Sequence, residues 1–249
     1  MPAKNRIKQY LENGYYHIYN RGVEKRAIFL DLQDYSVFNL YLKEYLTPKN
    51  EEGLFERLSN PLLSSPEKEK ILRLLRLNNF DEEITLLSYC LMPNHFHFEI
   101  KQKSPGSIDK FMNSLGTRYT MYFNKKYKRV GSLYQGVYKG VLVNSDEQLL
   151  QLSAYIHRQA LALKNTFPDG QPSSYFDYAG IKKTEFIKPT EILSYFSKTN
   201  PSFSYEAFVN QENDFSSLSH LLLETLCDIR QLLMHQQHYQ SAFFLLLYF

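Results

Sequence analysis

The sequence predicts an α+β domain of the ferredoxin-like, split βαβ (RRM-like) type: an antiparallel sheet with helices on one face, plus a helical C-terminal extension. Three observations predict it. Strand-like and helix-like segments follow in the order β, α, β, β, α, β; the third strand alternates with period two; and the helical patterns open on serine or acidic start signals. The run YYHIYNR at 15–21 is aromatic and β-branched and stops at Gly22, as a strand and its turn would. From Asp34 to Tyr45 the residues Val37, Phe38, Leu40, Tyr41 and Tyr45 recur near helical spacing, with Asp34 placed to cap. LLSYCLM, the turn pair Pro93-Asn94 and HFHFEIK read as two strands joined tightly. In the second of them His95, His97, Glu99 and Lys101 share one face, and Phe96, Phe98 and Ile100 the other. Ser107 and Asp109 open a helix to about Lys126, a strand is expected at Gly136–Val143, and Ser145-Asp146-Glu147 start a helix that runs past Gln159.

Residues 47–83, punctuated by Pro48, Gly53, Pro61 and Pro66, read as an insertion carrying a short amphipathic helix at Pro66–Leu77. The functional domain is expected over 1–165. Residues 166–249 form a loop and a helical C-terminal extension, with a last helix from about Ser216. A chain of 249 residues, 43% apolar, can bury a substantial core, which excludes a disulfide-stapled miniprotein or a disordered tail. Cys90 and Cys227 lie far apart and are expected as buried thiols of a reducing compartment. The N-terminus lacks an apolar core of signal-peptide length and no run reaches the roughly 18 residues of a membrane span, so a cytoplasmic location without membrane partners is expected.

The net charge of +3 excludes a globally basic nucleic-acid binder, so any basic surface must be local. One stretch qualifies. Lys110 to Ser145 contains no acidic residue and carries Lys110, Arg118, Lys125, Lys126, Lys128, Arg129 and Lys139, interleaved with rings that include Tyr119, Tyr122, Tyr134 and Tyr138. Cations for phosphates with rings for unpaired bases suit a single-stranded nucleic-acid surface; a solvated helix end whose rings face the core has the same composition. His95 and His97, two apart on a strand, can share a metal ion or form a solvated pair. Tyr155 and Gln159, four apart, share a helix face. If that face covers the histidines, the Gln159 amide oxygen could complete a site suited to Mg²⁺ or Mn²⁺, with the Tyr155 hydroxyl beside it as a nucleophile.

YYHIYNRG at 15–22, LMPNHFHFEIK at 91–101, FMNSLGTRYTMYFNKKYKRVGSLYQGVYKGVLV at 111–143, LLQLSAYIHRQAL at 149–161 and SSYFDYAG at 173–180 closely resemble the single-tyrosine HUH transposases, IS200-like, and among them the REP-associated branch. The resemblance implies a nuclease acting on single-stranded DNA that carries hairpin or palindromic repeats, as a monomer or homodimer associated with the nucleoid. It implies that His95 and His97 bind the divalent ion, that Gln159 completes its ligands, and that Tyr155 attacks the DNA to form a 5′-phosphotyrosine. It further implies a DNA-contacting or site-shaping role for His17, Asn20 and Arg21. Many relatives carry His-x-Asn-Pro after the nucleophile, whereas this chain reads His157-Arg158-Gln159-Ala160, so the helix need not end there. The rival reading is a non-catalytic binder of structured single strands with a vestigial HUH site. Replication-initiation or relaxase-type nicking shares the chemistry but normally comes with larger partner domains.

Overall fold

A computed structural model describes residues 10–162 and 172–211. The strands and α-helices up to residue 162 are, in chain order, β1 (Tyr15–Arg21), α1 (Leu32–Leu46), α2 (Glu51–Leu58), α3 (Ser65–Arg76), β2 (Ile84–Met92), β3 (His95–Gln102), α4 (Ser107–Lys126), β4 (Lys139–Val143) and α5 (Asp146–Ala162), and short helices follow at Tyr175–Tyr178, Thr190–Leu193 and Tyr205–Asn210. The strands form one sheet in the order β2-β3-β1-β4 with every neighbouring pair antiparallel. That is the order the split βαβ topology requires, because each βαβ crossover skips one strand position.

The period-two alternation of β3 gives the sheet two chemically distinct faces. Phe96, Phe98 and Ile100 join Ile18 of β1, Phe38 of α1 and Phe111, Leu115 and Tyr119 of α4 in one apolar core. Phe38 sits at its centre, with ring centroids 5.7 Å from Phe96, 4.9 Å from Tyr119 and 5.3 Å from Phe29. The crossover helices α1 and α4 therefore share one face, as expected. The opposite face carries the histidines, and α5 lies against it, with the His97 and Tyr155 rings in edge-on contact.

Three local details differ from the sequence reading. Asp31, not Asp34, caps α1: its carboxylate accepts from the Asp34 N–H at 3.0 Å. Asp34 is fully buried and accepts from the Leu30 N–H, the Tyr122 and Tyr127 hydroxyls and Lys126. β4 begins at Lys139 rather than Gly136, because the Tyr138 ring turns into the core and its hydroxyl donates to Asp109. Residues 47–83 form two helices rather than one, and Lys49 seats the second by donating to the Leu75 and Leu77 carbonyls at its C-terminal end.

Segment 172–188 closes the exposed edge of β2. Leu91 N–H donates to the Pro172 carbonyl, Ser174 N–H to the Tyr89 carbonyl and Lys188 N–H to the Leu86 carbonyl, so the edge carries no free ladder for another chain to pair with at these positions. The described part of the sequence-predicted extension thus packs directly on the sheet; the helix expected from about Ser216 lies outside the described residues. Among the described residues, no helix is long and apolar enough to cross a membrane.

Candidate active site

The site assembles on the histidine face of β3, which β1 flanks on one side and α5, packed on β2 and β3, covers from the other. The register of β1 against β3 sets Arg21 opposite His95, Tyr19 opposite His97 and His17 opposite Glu99, all on the histidine face. On the other side of β3, Met92, Cys90 and Ser88 stand opposite His95, His97 and Glu99. A bulge between Leu86 and Ser88 shifts the register there, so that Leu86 pairs with Ile100 and turns to the core face while Ser88 stays in step with Cys90.

The two imidazoles are 4.8 Å apart between ring centroids and nearly perpendicular. Both are almost fully buried, which removes the reading of a solvated pair. Each has its Nδ1 engaged. His95 Nδ1 lies 2.6 Å from Asn94 Oδ1, while Asn94 Nδ2 donates to the Lys25 carbonyl at 3.1 Å. With its amide nitrogen committed to Lys25, Asn94 presents oxygen to His95, so His95 Nδ1 carries the proton and Nε2 carries the lone pair. His97 Nδ1 lies 2.9 Å from His17 Nε2, with the two rings stacked at 5.1 Å. Burial, then the neighbouring His95 and His17, holds the His97 imidazole well below its ordinary pKa, so it is neutral.

Tyr155 is 7% exposed, its ring 5.7 Å from His97 at 85°. Gln159 follows one helical turn later and is also buried. His97 Nε2 and Gln159 Oε1 are buried and make no hydrogen bond. Two buried polar atoms left without a hydrogen bond would be costly as empty packing and fit the requirements of a cation's ligands. Among the described residues no group of three or more His, Cys, Asp or Glu is placed to hold a metal ion.

Glu99 is fully buried, and that burial, with a smaller push from the Glu191 charge, raises its carboxyl to about 8 against the hydrogen bond from Ser88. His157 faces away from Tyr155 around α5. Its Nδ1 lies 2.6 Å from the Tyr205 hydroxyl and its Nε2 2.7 Å from Ser174 Oγ, and burial lowers it to about 3. It is a structural knot that ties α5 to residues 173–205. Sequence reading had no role for His157 and took Asn94 only as a turn residue; SSYFDYAG held the one signal, since it contains Ser174.

The expected DNA-binding residues divide. Lys125, Lys128 and Lys139 are exposed. Arg129 stacks near Phe123 and donates to Asn124. Arg118 pairs with Glu44 and lies 3.7 Å over the Tyr41 ring, and Lys126 pairs with Asp31 and Asp34. Those acids come from α1 and its N-cap, far away in sequence, so the stretch without acids is partly neutralised in space. Arg21 Nε donates to Gln135 and Asn20 Nδ2 to the Gly136 carbonyl. Asn20 and Tyr134 line a cleft of about 580 Å³ between α4 and the loop before β4.

The sequence pattern of a family described as "Transposase IS200 like" matches residues 36–159, a span that runs through the segment read as an insertion. A solved REP-associated tyrosine transposase bound to a REP hairpin aligns over 74% of this chain and 97% of its own, at 8% identity and a TM-score of 0.46. A tRNA(His) guanylyltransferase from Saccharomyces cerevisiae aligns over 86% of this chain and 81% of its own, at 14% identity and a TM-score of 0.30. No curated protein matches.

Proposed function

We propose, for a chain that belongs to the IS200-like transposase family through its residues 36–159, that it cleaves and rejoins single-stranded, hairpin-bearing DNA with Tyr155 as nucleophile. The observation that carries this reading is the packing of the Tyr155 ring against His97, with Gln159 one turn along the same helix.

The phenol oxygen of Tyr155 attacks the scissile phosphorus. A bond from tyrosine to phosphorus forms, the bond from phosphorus to the 3′ oxygen breaks, and the phenol proton is replaced by one on the departing 3′-OH. The phosphotyrosine keeps one phosphodiester for one, so a 3′-OH can later attack it and join strands without ATP. His95 Nε2, His97 Nε2 and Gln159 Oε1 are the atoms that would hold a divalent ion, Mg²⁺ or Mn²⁺. Such an ion, when bound, supplies Lewis-acid polarisation of the phosphate. β3 and α5 fix these groups on regular elements, so the imidazoles and the phenol enter the reaction already positioned.

The exposed Lys125, Lys128 and Lys139 suit phosphate contacts, Asn20 and Tyr134 border the cleft beside α4 where unpaired bases could lie, and Arg21 is held by Gln135, which lines the same cleft. Incubating the protein with a hairpin oligonucleotide and Mn²⁺, then running a denaturing gel, should give a shifted protein–DNA band. Tyr155→Phe should abolish that band while leaving DNA binding intact; an undiminished band would overturn the assignment. Tight binding by the unaltered chain with no adduct would favour the non-catalytic reading.

A further inference from the structure

We propose that His17 is a positioning residue for the site: its Nε2 accepts the Nδ1 proton of His97 and thereby commits His97 Nε2 to present a lone pair to a divalent cation. The inference rests on the reading that His95, His97 and Gln159 hold that cation.

The hydrogen bond between the rings, 2.9 Å from His17 Nε2 to His97 Nδ1, can be made in two ways. Each neutral imidazole carries one N–H and one lone pair. If His17 donates, His97 must carry its own proton on Nε2, where it would be a buried N–H with no acceptor, because that atom makes no hydrogen bond. If His97 donates from Nδ1, its Nε2 becomes a buried lone pair, unused in the protein alone and available to a cation. Only the second arrangement is compatible with ligation through Nε2. The first would require the proton to move to the other nitrogen before a cation could bind.

The geometry favours a dedicated role over a chance contact. His17 is fully buried, which leaves the second of the two roles, DNA-contacting or site-shaping, that the resemblance implied for it. The register of β1 against β3 puts it two residues along from Tyr19, the residue opposite His97, and its ring stacks on His97 with an interplanar angle of 19°. It also lies 4.8 Å from the Tyr19 ring, which packs it from the side. His95 has the same kind of support in Asn94, whose oxygen accepts from Nδ1 while its nitrogen is held by the Lys25 carbonyl. Both imidazoles thus have the far nitrogen tied to a neighbour that fixes the tautomer and ring orientation, the arrangement by which outer residues tune metal-binding histidines.

The test measures Mn²⁺ binding to the full chain without DNA, by following the signal of free Mn²⁺ in electron paramagnetic resonance. Replacing His17 by phenylalanine keeps the ring and removes the acceptor. Replacing it by glutamine puts an amide oxygen near the position of Nε2. His17→Phe should weaken Mn²⁺ binding by roughly 10- to 100-fold, and His17→Gln should restore most of it. A purely structural role would make both variants behave alike. If the unaltered protein binds Mn²⁺ and His17→Phe binds it equally well, the role of His17 is refuted while the metal site stands. If the unaltered protein binds none, and His95→Ala changes nothing, the metal reading itself falls and takes this proposal with it. Should His17→Phe fail to fold, long-range ¹H–¹⁵N spectra of the unaltered protein decide: a proton on His97 Nδ1 supports the assignment, and a proton on Nε2 overturns it.

Discussion

Acidification should destabilise this fold through His157 by an amount that the structure allows to be worked out. The imidazole is fully buried between the Tyr205 hydroxyl and Ser174 Oγ, and burial depresses it from 6.5 to about 3. In the unfolded chain it takes up a proton below about 6.5, whereas in the fold it stays neutral until about 3. The unfolded state therefore binds more protons across that window, so stability is complete above the unfolded value and is lost as pH falls. Each pH unit is worth about 1.4 kcal/mol, so lowering pH from 6.5 to 5 removes about 2 kcal/mol. For a chain of this size that corresponds to a drop in Tm of roughly 4–8 °C. A matched variant isolates the contribution of His157 from that of every other group. His157→Gln at pH 7.5 should cost about 1–3 kcal/mol, because Tyr205 and Ser174 lose a well-placed partner. At pH 5 the gap between variant and unaltered protein should shrink by about 2 kcal/mol. Urea unfolding of both proteins at intervals from pH 7.5 to 5, with EDTA present, measures it. A gap that does not change with pH would refute the reasoning.

Glu99 should act with the opposite sign. Its carboxyl, raised by burial from 4.5 to about 8, keeps its proton in the fold while the unfolded chain has lost it, so stability falls as pH rises through that window. Glu99→Gln should therefore gain on the unaltered protein by about 1.4 kcal/mol per pH unit between these limits, and parallel pH profiles of urea midpoints would contradict it. Phe38→Ala should cost about 3–5 kcal/mol in urea unfolding, because the side chain is fully buried among Phe29, Phe96 and Tyr119; a cost under about 1 kcal/mol would mean that the core does not centre there. Arg118→Ala should lower stability yet leave affinity for single-stranded DNA nearly unchanged, since Glu44 and Tyr41 already occupy the guanidinium. Lys139→Ala should instead reduce the salt dependence of binding by about 0.7 in log–log slope, read from titrations at several salt concentrations.

Legibility in the sequence followed the range of the interactions involved. The strand HFHFEIK was readable because alternation is a property of neighbours, and it placed His95 and His97 on one face and Phe96 and Phe98 on the other without further information. The α1 cap was misplaced by three residues because Asp31 and Asp34 are both credible caps locally; only the Tyr122, Tyr127 and Lys126 groups brought in by α4 show that Asp34 belongs to the interior. The basic stretch was overcounted for the same reason, since Glu44, Asp31 and Asp34 are absent from its sequence and present beside it in space. Asn94 was seen only as a turn residue and His17 was given a DNA-contacting or site-shaping role only through the resemblance, because what each does depends on which ring nitrogen it meets, for His17 on a ring 80 residues away.

α5 shows how one helix separates two tyrosine–histidine contacts that sequence cannot rank. Tyr155 and Gln159 share the face toward β3, while Ser153 and His157, also four apart, share the face toward residues 173–205. On the second face the polar groups close on one another: both His157 nitrogens have partners, and the Tyr205 hydroxyl donates to Ser153. A closed network of that kind holds structure in place and has nothing left to offer a substrate. On the first face, where the His97 and Tyr155 rings meet, His97 Nε2 and Gln159 Oε1 are left buried without a hydrogen bond. Tyr155 and Tyr205 are thus told apart not by exposure, which they nearly share, but by whether the polar atoms beside them have found partners.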